Sequence, residues 1–318
     1  MHDDQGDLHE LTANPYETPE QAFETAAPQR PRIWTTFVVP LVAIVLAVLL
    51  QIVVALAFAI AMISGGESPD NVANRIGEWI VSSAGFLAML AAGQLGFALP
   101  TLLAAQLSPE PLRQRLGLVP LRNPLGLSVM MALGTLLPLA ISFALVYLVS
   151  EVIPPDQTVA AFFEQLTPGW GIAFVVLIAL APGFIEEMLF RGYIQRRLLK
   201  RWSPFWSIAT SSVLFGLAHV TPHAIALALP LGLWLGVIAW RTGSIIPTIV
   251  CHAFVNGGVN IWRLVIKFGE LSETTQWIVN AAFLLIGAAC FVIACRMLVG
   301  YSSAGESIAA EEKLSRSG

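Results

Sequence analysis

The chain has 318 residues, a formal net charge of -4, 56% hydrophobic and only 12% charged side chains, and a mean hydropathy of +0.73. A soluble domain carries about 25% charged residues, so the composition excludes one and points to a protein dissolved in the bilayer. The small negative charge comes largely from the tails and no basic stripe accompanies it, so nucleic acid is not an expected partner.

Residues 1–32 are polar and proline-bearing and start Met1-His2-Asp3-Asp4, without the positive n-region or early apolar run of a signal peptide. They read as a disordered cytoplasmic arm. Arg30 and Arg32 then precede a first apolar run over 37–64, longer than the ~20 residues a membrane helix needs. A second run covers 79–106, after a loop bearing Glu67, Asp70, Arg75 and Glu78, and a basic loop with Arg113, Arg115 and Arg122 follows it. A third covers 126–150 and leads into an acidic loop with Glu151, Asp156 and Glu164. A fourth begins near Trp170 and ends among Arg191, Arg196, Arg197, Lys200 and Arg201. Later runs cover 204–219, 223–240, 244–262 and 275–299, before a polar tail over 301–318.

About eight spans put Arg30, Arg32, the 113–122 and 191–201 clusters and Arg241 on one side, with Arg75, Arg263 and Lys267 on the other. Short Lys/Arg-rich loops stay cytoplasmic, so both termini are expected inside, in the cytoplasmic membrane if the source is prokaryotic. Backbone groups in lipid must be satisfied within the span. The fold class is therefore all-α, a polytopic transmembrane helix bundle over 33–300, and the run lengths exclude a barrel. No transporter-like internal repeat is evident. Cys251, Cys290 and Cys295 sit in apolar runs without CxxC spacing, which indicates neither disulfides nor a cysteine zinc site.

Three polar groupings interrupt these runs. In Glu186-Glu187-Met188-Leu189-Phe190-Arg191, each ionisable side chain costs roughly 2.5–3.5 kcal/mol at a membrane-helix centre, so partners or water must accompany it. Residues four apart share a helix face, which pairs Glu187 with Arg191 and leaves Glu186 on another face for chemistry. In Phe215-Gly216-Leu217-Ala218-His219, Phe215 and His219 share a face. Glu186 lies sixteen residues before Trp202 and His219 seventeen after it, so an antiparallel hairpin broken at Trp202-Ser203-Pro204 brings both to similar heights. In His252-Ala253-Phe254-Val255-Asn256 an imidazole and a carboxamide share a face, and Asn260 extends it. Taken singly, these groups also fit a packing ion pair, a helix-end histidine and an interhelical clamp. Taken together, an acid, two imidazoles and an amide can activate water, assist the leaving group and hold an oxyanion, provided they converge on one wet cavity.

At these residues the chain resembles the CPBP family of intramembrane proteases, which includes the type II CAAX prenyl endopeptidases and the Abi or bacteriocin-processing proteins. The family's EExxxR, FxxxH and HxxxN motifs stand intact and in order at Glu186-Glu187…Arg191, Phe215…His219 and His252…Asn256. The resemblance covers about residues 85–262. It implies a glutamate-dependent endopeptidase acting on a hydrophobic or lipid-modified membrane peptide. Glu186 activates water, His219 assists, and His252 with Asn256 holds the oxyanion. Glu187 completes the catalytic set, with Arg191 and Phe215 in support. Many relatives carry a metalloprotease label, and zinc at a Glu/His/His cluster is the alternative to the metal-free chemistry expected here. The competing functional readings are a non-catalytic scaffold or immunity-type protein, and a transporter with a Glu/His proton relay.

Overall fold

The computed structural model describes residues 32–107, 110–120 and 125–301; the expected arm with Arg30, the loop residue Arg122 and the tail beyond Tyr301 lie outside the described residues. Within them every regular element is helical, and seven segments are long and apolar enough to cross a bilayer. The first two are α1 (Thr35–Ser64) and, after the short amphipathic α2 (Pro69–Val81), α3 (Ser83–Gln106). After the single turn α4 (Leu112–Arg115), helices α5 (Leu125–Gly134) and α6 (Leu136–Ser150) form the third span. After α7 (Thr158–Gln165), α8 (Pro168–Glu187) runs through a π-helical segment (Met188–Gln195) into α9 (Arg196–Leu199), the fourth. The short α10 (Pro204–Leu217) precedes α11 (Pro222–Thr242), α12 (Ile246–Gly269) and α13 (Glu273–Val299).

The expected run 244–262 extends to Gly269, and two other boundaries differ from the expected runs for local reasons. The run over 79–106 breaks at Ser82, whose extended backbone caps α3: its Oγ accepts from the Gly85 N–H at 3.2 Å and donates to the Trp79 carbonyl at 2.6 Å. Expected span 204–219 is a helix of only 14 residues, about 21 Å of rise against the roughly 30 Å of a hydrocarbon core. Seven spans therefore replace eight full crossings, with α10 as a shorter partner of α11.

The side on which that pair begins and ends is fixed by polar contacts. Arg197 Nη1 donates to Thr35 Oγ1 at 3.1 Å, and Arg196 Nη1 donates to the Gly243 carbonyl at 2.8 Å. Arg241 donates to the carbonyls of Leu298, Val299 and Tyr301. The start of α1, the end of α9 and the ends of α11 and α13 thus share one end of the bundle. Helix α10 leaves that end and α11 returns to it, so a short α10 does not change the side on which the described chain starts and stops.

The π-helical segment is the axis of the fold. All eight of its residues are buried, and Leu189, Phe190 and Ile194 pack with Leu116, Leu198 and Phe215 in the main core. Arg191 and Gln195 lie four apart and donate to the carbonyls of Gly232 (3.0 Å) and Gly236 (2.8 Å), four apart on α11. A Cβ at either glycine would press on Phe215 or Ile208 at 3.0 and 2.9 Å, so the bare backbone is what lets the polar side chains reach it. By contrast α1 turns Leu41, Val45, Leu49, Ile52 and Leu56 outward, the surface a lipid-facing helix needs.

Candidate active site

Three of the paired segments meet across the π-helical axis. Glu187 is fully buried, and its Oε1 lies 3.3 Å from Arg191 Nη1 and accepts from His252 Nδ1 at 2.9 Å. The expected Glu187–Arg191 pair is therefore formed, at the junction where α8 passes into the π-helical segment. Arg191 also stacks on Phe215, 4.3 Å from the ring centroid. Phe215 in turn stands edge-on to His219 at 5.0 Å and to His252 at 5.8 Å, so one ring separates the two imidazoles. Ser211 Oγ donates to the Phe190 carbonyl at 2.8 Å and the Phe190 and Phe215 rings pack at 5.2 Å. These contacts are the antiparallel register that the spacing about Trp202 implies, with the α8 end opposite the α10 end.

Hydrogen bonding fixes what several groups can do. His219 Nδ1 lies 2.8 Å from the Phe215 carbonyl, which only accepts, so Nδ1 carries the hydrogen and Nε2 is left as an acceptor. His219 is half-buried and precedes Val220, a β-branched residue held at φ 65°, so the turn that presents the imidazole is a strained one. His252 spends Nδ1 on Glu187, so its Nε2 is the position from which it can act. Asn256, one turn along α12, donates to the Ile178 carbonyl at 3.2 Å, and Asn260 donates to the Asn256 carbonyl at 2.8 Å. The amide is thus tied toward the middle of α8, one turn from the His252 contact.

Glu186 is placed apart from that network. It is buried, and its Oε1 accepts from Gln94 Nε2 of α3 at 3.0 Å, while Oε2 has no hydrogen-bond partner among the described residues. Gln94 escaped the sequence reading although the same signal marked it: an amide in the middle of an apolar run, Ala91-Ala92-Gly93-Gln94-Leu95. Among the described residues no three His, Cys, Asp or Glu side chains are grouped so as to hold a metal ion. Two hollows lie close to these segments without being the expected wet cavity. One groove of about 580 Å³ runs along Ala173, Leu177, Leu180, Phe184 and Ile185, stopping beside Glu186, and a second of about 490 Å³ lies at Trp202 and Trp206. Neither is lined by Glu186, His219, His252 or Asn256.

With this geometry in hand, the sequence compares with one known family. Residues 168–258 match the Rce1-like family model. That family is described as type II CAAX prenyl endopeptidase, Rce1-like. The Rce1-like segment begins with α8 and ends two residues after Asn256, so it contains all three polar groupings and leaves out Gln94. No curated protein and no solved structure matches the chain. The seven apolar helices and the Rce1-like match together make this a multi-pass membrane protein.

Proposed function

We propose that the protein is an intramembrane endopeptidase that hydrolyses a membrane-proximal peptide bond of a hydrophobic or lipid-modified peptide. The observation that carries this reading is the contrast between the two adjacent carboxylates. Glu187 Oε1 is bound by a guanidinium and an imidazole, whereas Glu186 Oε1 accepts its hydrogen bond from a neutral amide, so Glu186 has no cation within ion-pair distance among the described residues. The Rce1-like match supports the reaction class and a membrane-associated peptide as substrate.

In this reading Glu186 Oε2 takes a proton from water as the water oxygen bonds to the scissile carbonyl carbon, and His219 Nε2 orients that water by accepting a hydrogen bond from its other O–H, which stays on the oxygen. The developing oxyanion is held by the Asn256 amide and by the Nε2–H of His252 in its doubly protonated form, Nδ1–H staying on Glu187. Collapse of the tetrahedral intermediate breaks the C–N bond, and the proton held on Glu186 passes to the leaving amine. Glu187 acts on the imidazole, fixing its orientation through Nδ1, and Arg191 holds Glu187. No step uses a metal ion. The basic end of the bundle is the cytoplasmic one in this proposal, with both termini inside.

The test uses purified protein in proteoliposomes and a quenched peptide with a C-terminal CAAX sequence bearing S-farnesyl cysteine. Wild type cleaves it, and Glu186→Ala, His219→Ala and His252→Ala each lose cleavage by at least about 10²-fold while still inserting in the membrane. Activity persists after chelation. Full turnover in Glu186→Ala would leave the polar cluster a scaffold, as would a cellular phenotype rescued equally by that variant and by wild type.

A further inference from the structure

Gln94 and Glu186 lie 92 positions apart in sequence and are joined side chain to side chain, the amide Nε2 donating to the carboxylate Oε1 at 3.0 Å with both residues buried. An ionised carboxylate offers only acceptors, so the amide must present its N–H face to it. One reading is polar glue between helices, worth only about 0.6 kcal/mol on average. Three features argue for more. The first is the choice of partner. Glu187 next door receives the Arg191 guanidinium, which opposes its charge, and the His252 Nδ1–H, whereas Gln94 holds Glu186 by a neutral dipole that fixes a carboxylate without neutralising it. The second is which atom is held. Oε1 is occupied and Oε2 is not, so the contact fixes the carboxylate plane and selects a single oxygen as the acting one. The third is how Gln94 itself is held. Two residues on, and therefore about 200° round the helix, Gly96 lies so close to α1 that a Cβ would stand 2.3 Å from the Ala47 Cα. Helix α3 is thus locked on one face and presents Gln94 from the other, which gives the donor a fixed position and little play.

We infer that Gln94 is a positioning residue for the hydrolysis, orienting Glu186 through Oε1 so that Oε2 faces the attacking water; this rests on the proposed function. It adds a residue from outside the Rce1-like segment to the machinery. The amide touches neither substrate nor the reacting atoms and acts only through the carboxylate. Its loss lowers turnover and leaves substrate binding as it was.

The experiment is Gln94→Met, a similar length and volume without the donor, assayed beside Glu186→Ala in proteoliposomes on the S-farnesyl CAAX peptide. The expected result is a kcat lowered by about tenfold to a hundredfold, the range for losing a hydrogen bond to a charged group, with KM unchanged and the thermal unfolding temperature in detergent not lowered. A merely structural amide would instead lower the unfolding temperature and the folded fraction together, leaving kcat per folded molecule intact. That result overturns the inference, as does full kcat in Gln94→Met when cleavage needs Glu186. Peptide left whole by the wild type, or cleaved by Glu186→Ala, overturns the proposed function and takes this inference with it.

Discussion

A carboxylate placed in a membrane helix needs a partner, and the two glutamates of this chain meet that need in opposite ways. Glu187 and Arg191 form a fully buried pair, to which His252 adds a second contact. Removing one member of such a pair strands the other's charge, whereas removing both leaves an apolar contact. Arg191→Met is therefore expected to cost about 3–5 kcal/mol of stability, and Glu187→Met with Arg191→Met together much less. Unfolding of the single and double variants in detergent checks this, and a double variant as weak as the single would remove the charge explanation. The pair was legible in the sequence because both members sit on one helix at i and i+4. The Gln94–Glu186 contact was not, since nothing in a linear pattern says which of several apolar helices will face Glu186. Nor was the share of His252 in Glu187, because α8 and α12 meet only in the folded bundle.

At the level of the element, apolar run length gave most spans to within a few residues, though α12 runs seven residues past the expected 262 and 204–219 is not a full crossing, while what is decided by contact between helices escaped it. Ser82 breaks one run because a serine with extended backbone caps a helix start, a signal the sequence carried in Ser82-Ser83. The π-helical segment carried no such signal. Its donors Arg191 and Gln195 are matched to the Gly232 and Gly236 carbonyls of α11, so its winding is tied to a neighbour 41 positions away. The α1–α3 pair likewise depends on close approach at Gly96 and Ala47, supported by Gln51 Nε2 donating to the Met89 carbonyl at 3.1 Å. Gly96→Val must push the two helices apart, at a cost of about 1–3 kcal/mol for overpacking. Because Gln94 rides on the opposite face of α3, the same variant is expected to lose turnover, and adding Ala47→Gly to restore little of either, since the nearest atoms at that approach are the Ala47 backbone Cα and N, which it leaves in place. Stability and cleavage measured across the single and double variants check the coupling.

For the molecule as a whole, charge and length together set how the bundle sits in the bilayer. Arg196, Arg197 and Arg241 bind carbonyl or hydroxyl groups at one end, and Lys200 pairs there with Glu110. The Glu110 carboxyl is held below its ordinary range by the Lys200 hydrogen bond first, then by the charges of Lys200, Arg115 and Arg196. The stability this pairing adds is present at neutral pH and is lost as pH falls through the lowered value. The other end carries Asp70, Glu78, Glu151, Asp156 and Glu164. In the orientation proposed above, the basic end faces the cytoplasm. The 14 residues of α10, starting from that end, then stop about 9 Å short of the far boundary, leaving His219 and Val220 within the bilayer's thickness. Single cysteines in a background without Cys251, Cys290 and Cys295 test this with a membrane-impermeant maleimide on intact cells. Asp70→Cys and Asp156→Cys are expected to label from outside, and Gln114→Cys only after permeabilisation. Val220→Cys, two-thirds exposed on the protein yet shielded by lipid, is expected to label slowly from either side. If it labels as fast as Asp156→Cys, α10 reaches the outer surface, and the imidazole beside it works at the membrane boundary instead of inside it.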